Sequence, residues 1–367
     1  MRKLFLLFVI WVGMTFLSCK MDTGANVILT GKFPFVDSLE MIPIKNVDLL
    51  CPDDLVFQNG YLVLNNNCHD HLIQIIRLKD LQSKHFIKKG RGPGEMSRAN
   101  FSGHMVGDSL FIRNAPESSI WINPKKLFNN KHKENGETFK KISDPTPISQ
   151  NENVFFIEDN WVFNDYSSSN GHLGFFVFLD KKGEIIKKTD YIPELSYQIN
   201  KNTKGYAYLT TTRINESQKK FVSALKYFPF FIITTNDGEY ELVVQTEKDY
   251  LEPEFKEGEI HPDFRSEFFY AGVVLSEKYI FLYRLNMTLG ELVNYFSGQG
   301  GLPETSPGFE VYTWEGKPVC YLKINKVIIG PSIDFEKGVV YGLVLDPDIG
   351  YNIVKGDISP NILGSLK

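Results

Sequence analysis

The residues able to do chemistry gather at a few places. His69-Asp70-His71 is the only close histidine pair in the chain. Two imidazoles and a carboxylate suit a divalent metal. Spacing identifies no third or fourth ligand, so no metal is expected. Gly107-Asp108-Ser109-Leu110 spells the nucleophile motif of a serine hydrolase family. That chemistry also needs a late Asp-x-x-His. The last histidine, His261, has no aspartate three residues before it, and the motif reads instead as a hairpin turn. No Ser-His-Asp spacing and no dinucleotide fingerprint is present. Glu95, Glu117 and Asp165 are carboxylates that could serve as acid and base, but nothing selects two of them. Catalytic residues and cofactors are therefore expected to be absent.

A fourth place is Lys88-Lys89-Gly90-Arg91-Gly92-Pro93-Gly94-Glu95, a Gly/Pro knot between two β-like segments. Its glycines permit a nest of backbone N–H groups for an anion, which Arg91 would hold bidentately. The alternative is a structural staple, with Arg91 and Glu95 bonding neighbouring loops. A phosphate loop is excluded, because no Gly-Lys-Ser/Thr follows.

The elements that position these residues are strands. Short apolar runs rich in Phe, Tyr, Val and Ile alternate with Asn, Asp and Gly, and helical periodicity is scarce. Phe175–Ile186, Phe230–Glu241 and Phe309–Val319 each read as strand, Gly-closed turn, strand, with the turns at Gly183, Gly238 and Gly316. Weaker versions occur at Leu72–Ile87, turning at Lys79-Asp80, and at Ser119–Phe139, turning at Pro124-Lys125-Lys126. A period near 50 residues with four strands per period indicates propeller blades. The expected fold is all-β, a six-bladed β-propeller with four-stranded blades. The last blade, Val327–Ile358, has three clear strands, and the segment near Asp37–Ile44 is expected to supply the fourth. Closure from both chain ends removes an open edge. The one helix expected is Met287–Phe296, inside an insertion from Arg284 to Pro307.

Residues 1–19 form a basic start, an apolar run from Leu4 to Leu17, and Phe16-Leu17-Ser18-Cys19, which resembles the bacterial lipobox. Cys19 is the expected lipidation site, residues 20–30 a flexible tether, and residues 31–367 the propeller. Without Arg2 and Lys3, 38 basic residues face 44 acidic ones. Nucleic acid is not an expected partner, and the membrane is met only through the lipid anchor. Cys51, Cys68 and Cys320 remain. An odd number is not a complete disulfide framework. Buried free thiols are expected, with Cys51 and Cys68 the one pair placed to bridge.

Gly90-Arg91-Gly92-Pro93-Gly94-Glu95 resembles the signature of a six-bladed propeller family abundant in Bacteroidetes lipoproteins and related in fold to TolB-like and NHL-like propellers. Val311–Pro318 and Val339–Leu343 resemble it too, and Met96 departs from it. The resemblance implies a propeller in the cell envelope, at the outer membrane. It supplies no catalytic residues.

Propeller geometry sorts the loops. The Gly183, Gly238 and Gly316 turns fall on one face. The knot and the loops joining each blade's second and third strands (b–c loops) fall on the other. The candidate ligand-binding residues are therefore Asn65, His69, Asp70, His71, Arg91, Glu95, Asn114, Asn164, Asp165, Tyr166, His172 and Arg284. The expected function is binding a glycan, peptide or envelope protein without catalysis. The alternatives are an envelope hydrolase or lyase, and a scaffold subunit of an envelope complex.

Overall fold

A computed structural model describes residues 26–362, except 50, 93, 115–117, 130–139, 145–152, 166–173, 192–203, 256–261, 347–349 and 361. Three short strands come first: β1 (Asn26–Leu29), β2 (Phe35–Leu39) and β3 (Ile42–Pro43). Six antiparallel sheets follow as the expected propeller blades. Blade 1 holds β4 (Asp54–Gln58), β5 (Tyr61–Asn65), β6 (His71–Arg77) and β7 (Gln82–Lys88). Blade 2 holds β8 (Asn100–Val106), β9 (Ser109–Asn114), β10 (Ser118–Ile122) and β11 (Lys140–Ser143). Blade 3 holds β12 (Val154–Ile157), β13 (Asn160–Asp165), β14 (Gly174–Leu179) and β15 (Ile185–Lys188). Blade 4 holds β16 (Thr210–Asn215), β17 (Lys220–Leu225), β18 (Phe230–Thr235) and β19 (Tyr240–Gln245). Blade 5 holds β20 (Glu267–Leu275), β21 (Tyr279–Thr288), β22 (Gly308–Thr313) and β23 (Pro318–Ile324). Blade 6 holds β24 (Ile329–Asp334), β25 (Val339–Asp346) and β26 (Gly350–Asp357).

Radial position explains the composition of each strand. The second and third strands are packed on both faces by neighbouring blades and read as unbroken apolar runs, as in Tyr-Leu-Val-Leu-Asn of β5, where every residue is buried. Outer strands face solvent and turn polar, as in Gln-Ser-Lys-His-Phe-Ile-Lys of β7. Aromatic rings fill the gaps between blades. Phe221 of blade 4 lies 5.0 Å from both Phe155 and Phe176 of blade 3, centroid to centroid.

The three Gly turns are built alike. In each, the N–H of the glycine donates to the carbonyl three residues earlier, at 2.9–3.0 Å from Gly183 to Asp180, Gly238 to Thr235 and Gly316 to Thr313. The glycines have φ of 86°, 86° and 75°, and each turn is followed by a register shift. This is a type I turn closed by a bulge whose left-handed residue favours Gly.

The N-terminus closes blade 6 as expected, with β3 pairing antiparallel to β26 through Ile42–Lys355 and Pro43–Val354. Two additions go beyond the sequence reading. β1 adds a fifth, parallel strand to β19 of blade 4, so the stretch read as tether is strand from Asn26. β2, which contains Asp37, adds a parallel strand to β23 of blade 5 rather than to blade 6. The Ser119–Phe139 hairpin also differs. Pro124–Asn129 is a helix, and the fourth strand of blade 2 begins only at Lys140.

Cys51 and Cys68 form a disulfide, against the expectation of free thiols, and Cys320 is free and buried. Residues 1–19 with Cys19 lie outside the described residues. Among the described residues no helix is long and apolar enough to cross a membrane.

Candidate binding surfaces

The knot and the first b–c loop lie together, as their placement on one face requires. The Lys89 N–H donates to the Asp70 carbonyl at 2.7 Å, and Lys89 Nζ donates to the Asn67 carbonyl at 2.6 Å. The knot is closed from within. Gly92 N–H donates to Glu95 Oε2 at 2.8 Å, and a Cβ on Gly90 would stand 2.0 Å from that oxygen. Glu95 thus occupies the concavity where an anion would sit, and Lys88 lies 3.7 Å from its other oxygen. Gly90 accepts this approach only because it lacks a side chain. Arg91 projects into solvent with no partner among the described residues.

Three of the candidate asparagines hold the fold. Asn65, Asn114 and Asn164 recur every 49 or 50 residues, near the end of the second strand in blades 1 to 3. They are 3%, 1% and 0% exposed. Asn65 donates to the Ala99 carbonyl at 3.1 Å and accepts from Asp53 N–H. Asn114 accepts from the N–H groups of Ser97 and Arg98. Asn164 donates to the Phe175 carbonyl and accepts from Thr212 Oγ1 at 3.0 Å. A side-chain amide offers donors and an acceptor at once, which suits it to knit loops whose backbone has left the ladder.

His69 and His71 sit at the mouth of blade 1. The His71 N–H donates to His69 Nδ1 at 3.2 Å, and the His85 ring of β7 lies 5.7 Å from that of His69. Burial, then the charges of His69 and His71, push His85 below the usual imidazole range. Among the described residues no three His, Cys, Asp or Glu side chains are placed to hold a metal ion. Asp70 is exposed. Tyr166 and His172 lie outside the described residues, and Asp165 is described only as backbone of β13, paired with Gly174. Glu117 likewise lies outside.

Arg284 leads to a cavity on this face. It belongs to β21, which runs on to Thr288; the expected helix then spans Leu289–Phe296. Thr288 and Glu291 form a capping box at its start, which fixes the helix boundary. Leu289 N–H donates to the Ser266 carbonyl and Gly290 N–H to that of Phe264, so the insertion is tied to the loop joining blades 4 and 5. Between them opens a cavity of about 1330 Å³. Eight carboxylates and three cationic side chains line it.

A buried network floors this cavity. Arg284, 8% exposed, contacts Glu247 at 2.5 Å, Glu267 at 2.6 Å and Glu310 at 3.2 Å. Its guanidinium stacks over the Phe269 ring at 5.0 Å. Glu310 accepts from the hydroxyls of Tyr270 and Tyr312, each at 2.9 Å. Burial outweighs the pull of Arg284 and the two tyrosines and holds the Glu310 carboxyl above its usual range. Three donors converge on it, the arrangement of an ionised acceptor. Burial and the Glu310 charge drive the Tyr270 hydroxyl far above its ordinary range, so it serves as a donor. Sequence reasoning found Arg284 but missed Glu310. The signal was present, since Glu310 is the lone charge in the otherwise apolar strand β22.

No protein family and no curated protein matches the sequence. Solved structures match its fold. One is a member of the DUF4221 family from Bacteroides vulgatus, 12% identical, covering 87% of this chain and 98% of its own, with a TM-score of 0.52. Another, from Bacteroides fragilis and named as an exported protein, is 11% identical and covers 90% and 99%, with a TM-score of 0.55. At such identities the likeness establishes the propeller alone.

Proposed function

We propose that this protein is a lipid-anchored propeller of the bacterial envelope, allied to the TolB-like and NHL-like lipoproteins. It binds a partner on the face of the b–c loops and does no chemistry of its own. The observation that carries this reading is the cavity between blades 4 and 5, whose lining has five more carboxylates than cations. Carboxylates rimming a rigid pocket favour a ligand that brings positive charge. Of the three partner classes, a peptide or protein segment bearing lysine or arginine fits better than a neutral glycan. Glu310 is tied by three donors, as a structural acceptor is, and not poised as a general acid. The lipobox-like Phe16–Cys19 and the Cys51–Cys68 disulfide support an exported location.

The test is a binding screen on the soluble form lacking residues 1–19, with lysine-rich peptides, acidic peptides and neutral glycans. Lysine-rich peptides should bind, and binding should weaken as salt rises. Glu247→Gln with Glu267→Gln should weaken it about tenfold, near 1.4 kcal/mol. Glycan binding without peptide binding, or full affinity in the double variant, would overturn the choice of ligand and pocket.

A further inference from the structure

A second cavity, of about 1500 Å³, opens on the opposite face. It follows the propeller axis and is lined by the innermost strands of blades 1, 2, 4, 5 and 6. Its lining mixes polar and apolar side chains, with Val56, Phe57, Ile214, Val273, Ile333 and Phe335 among the apolar ones. Its charge is the reverse of the first cavity: seven cationic side chains line it against four carboxylates. Two of those carboxylates are already engaged, Asp80 with Arg77 at 2.7 Å and Asp334 with Lys337 at 3.4 Å. Lys45, Lys79, Lys125 and Lys355 have no ion-pair partner among the described residues.

One cation differs from the lysines, which are free to retreat into water. Arg213 projects from the middle of β16 into the axis. Its NH1 donates to the Thr212 carbonyl at 3.0 Å, and its other nitrogens have no acceptor among the described residues. It forms no direct ion pair among them, although the buried Asp54 carboxylate of blade 1 is near enough for the two charges to interact. Blade 2 makes room for it. Gly103 is glycine with φ of +69°, and a Cβ there would stand 2.2 Å from Arg213 Nε. A guanidinium enclosed by protein, short of acceptors and reachable from a cavity is a site for an anion.

We infer that the axial cavity binds a small organic anion, with a carboxylate head on Arg213 and an apolar body along the walls formed by Ile214, Val273 and Ile333. The lysines at the mouth draw the anion in, and the fork of the guanidinium orients it. The site is independent of the acidic pocket, since the two open on opposite faces.

Octanoate is the probe, titrated calorimetrically into the soluble protein, with octanamide as the uncharged twin. Octanoate should bind saturably with one site, and octanamide at least tenfold more weakly. Arg213→Met keeps the side-chain length and removes the charge. It should weaken octanoate at least tenfold and leave octanamide unchanged. Met105 lines the mouth and is 37% exposed, so Met105→Glu is tolerated by the fold. It should weaken octanoate several-fold by repulsion and again spare octanamide. Absence of saturable octanoate binding, equal affinity for octanamide, or affinity unchanged in either variant would each overturn the assignment.

Discussion

Gly103 and Arg213 meet across the propeller axis, with the place of a Cβ on the glycine only 2.2 Å from Nε of the arginine. They belong to β8 of blade 2 and β16 of blade 4. Gly103→Ala must displace the guanidinium and hold alanine at a φ of +69°. It should cost roughly 2 kcal/mol in urea unfolding. Combining it with Arg213→Met should recover part of that loss, because the methionine can bend away. Strict additivity of the two changes would show that the contact is not the cause.

Asp54, at the start of β4, titrates in an unusual range. Burial raises its pKa from the ordinary 3.8 to about 6, against the charge of Arg213, which lowers it. The folded state therefore binds a proton more tightly than the unfolded chain does. The stability from this proton is complete below about 4 and is lost as pH rises through about 6. Asp54→Asn should remove that slope and raise stability at pH 7.5 by about 1–3 kcal/mol. Unfolding curves across pH 4–8 measure it, and an unchanged slope would contradict the assignment to Asp54.

The Arg284–Glu310 network is expected to be asymmetric. Arg284→Met leaves the Glu310 carboxylate buried with only tyrosine donors, a loss of about 3–5 kcal/mol. Replacing Glu310 by Leu as well should restore part of it, since the unpaired charge is gone while the Tyr270 and Tyr312 hydroxyls lose their shared acceptor. Denaturant unfolding of the single and double variants reads the difference.

The Cys51–Cys68 disulfide spans a separation of 17 residues. Removing it with a double alanine change should cost about 3 kcal/mol by loop entropy. Thermal unfolding of the protein with and without reductant should show the same direction of change.

Asn164→Ala and Arg91→Ala separate scaffold from surface. The first strips a fully buried network of its centre and should cost about 2 kcal/mol. The second removes an exposed side chain without a partner among the described residues and should change stability by less than about 0.5 kcal/mol.

The ring was readable because its signals are local. Gly183, Gly238 and Gly316 each mark a turn that needs a left-handed residue, and the β-rich runs between them have no helical period to compete. The closing strand was readable from a deficit, since Val327–Ile358 is one strand short. β1 and β2 were not readable, because they add to blades already complete. Their partners lie more than 200 residues away, and no local pattern encodes that pairing. Among site residues, Asn65, Asn114 and Asn164 lie near the ends of the second strands of their blades. Their amides point into the protein, which sequence cannot distinguish from pointing out. Arg213 was invisible for a related reason. In Thr-Thr-Thr-Arg-Ile-Asn an arginine on an alternating strand reads as solvent-facing, and only the ring geometry turns that side toward the axis.

The N-terminal strands impose an order of events on folding. β1, β2 and β3 are the first of the described strands to be synthesised, yet they pair with Leu242–Gln245, Cys320–Ile324 and Val354–Lys355. β1 cannot settle until the chain has reached Gln245, and β2 and β3 not until nearly all of it exists. Such distant contacts slow a chain's search for its native pairing. Until they form, the outer edges of blades 4, 5 and 6 are open templates for another chain. The intermediate most prone to aggregate is then a ring with its last three blades unbelted, and a chaperone acting on this protein would best shield those three edges.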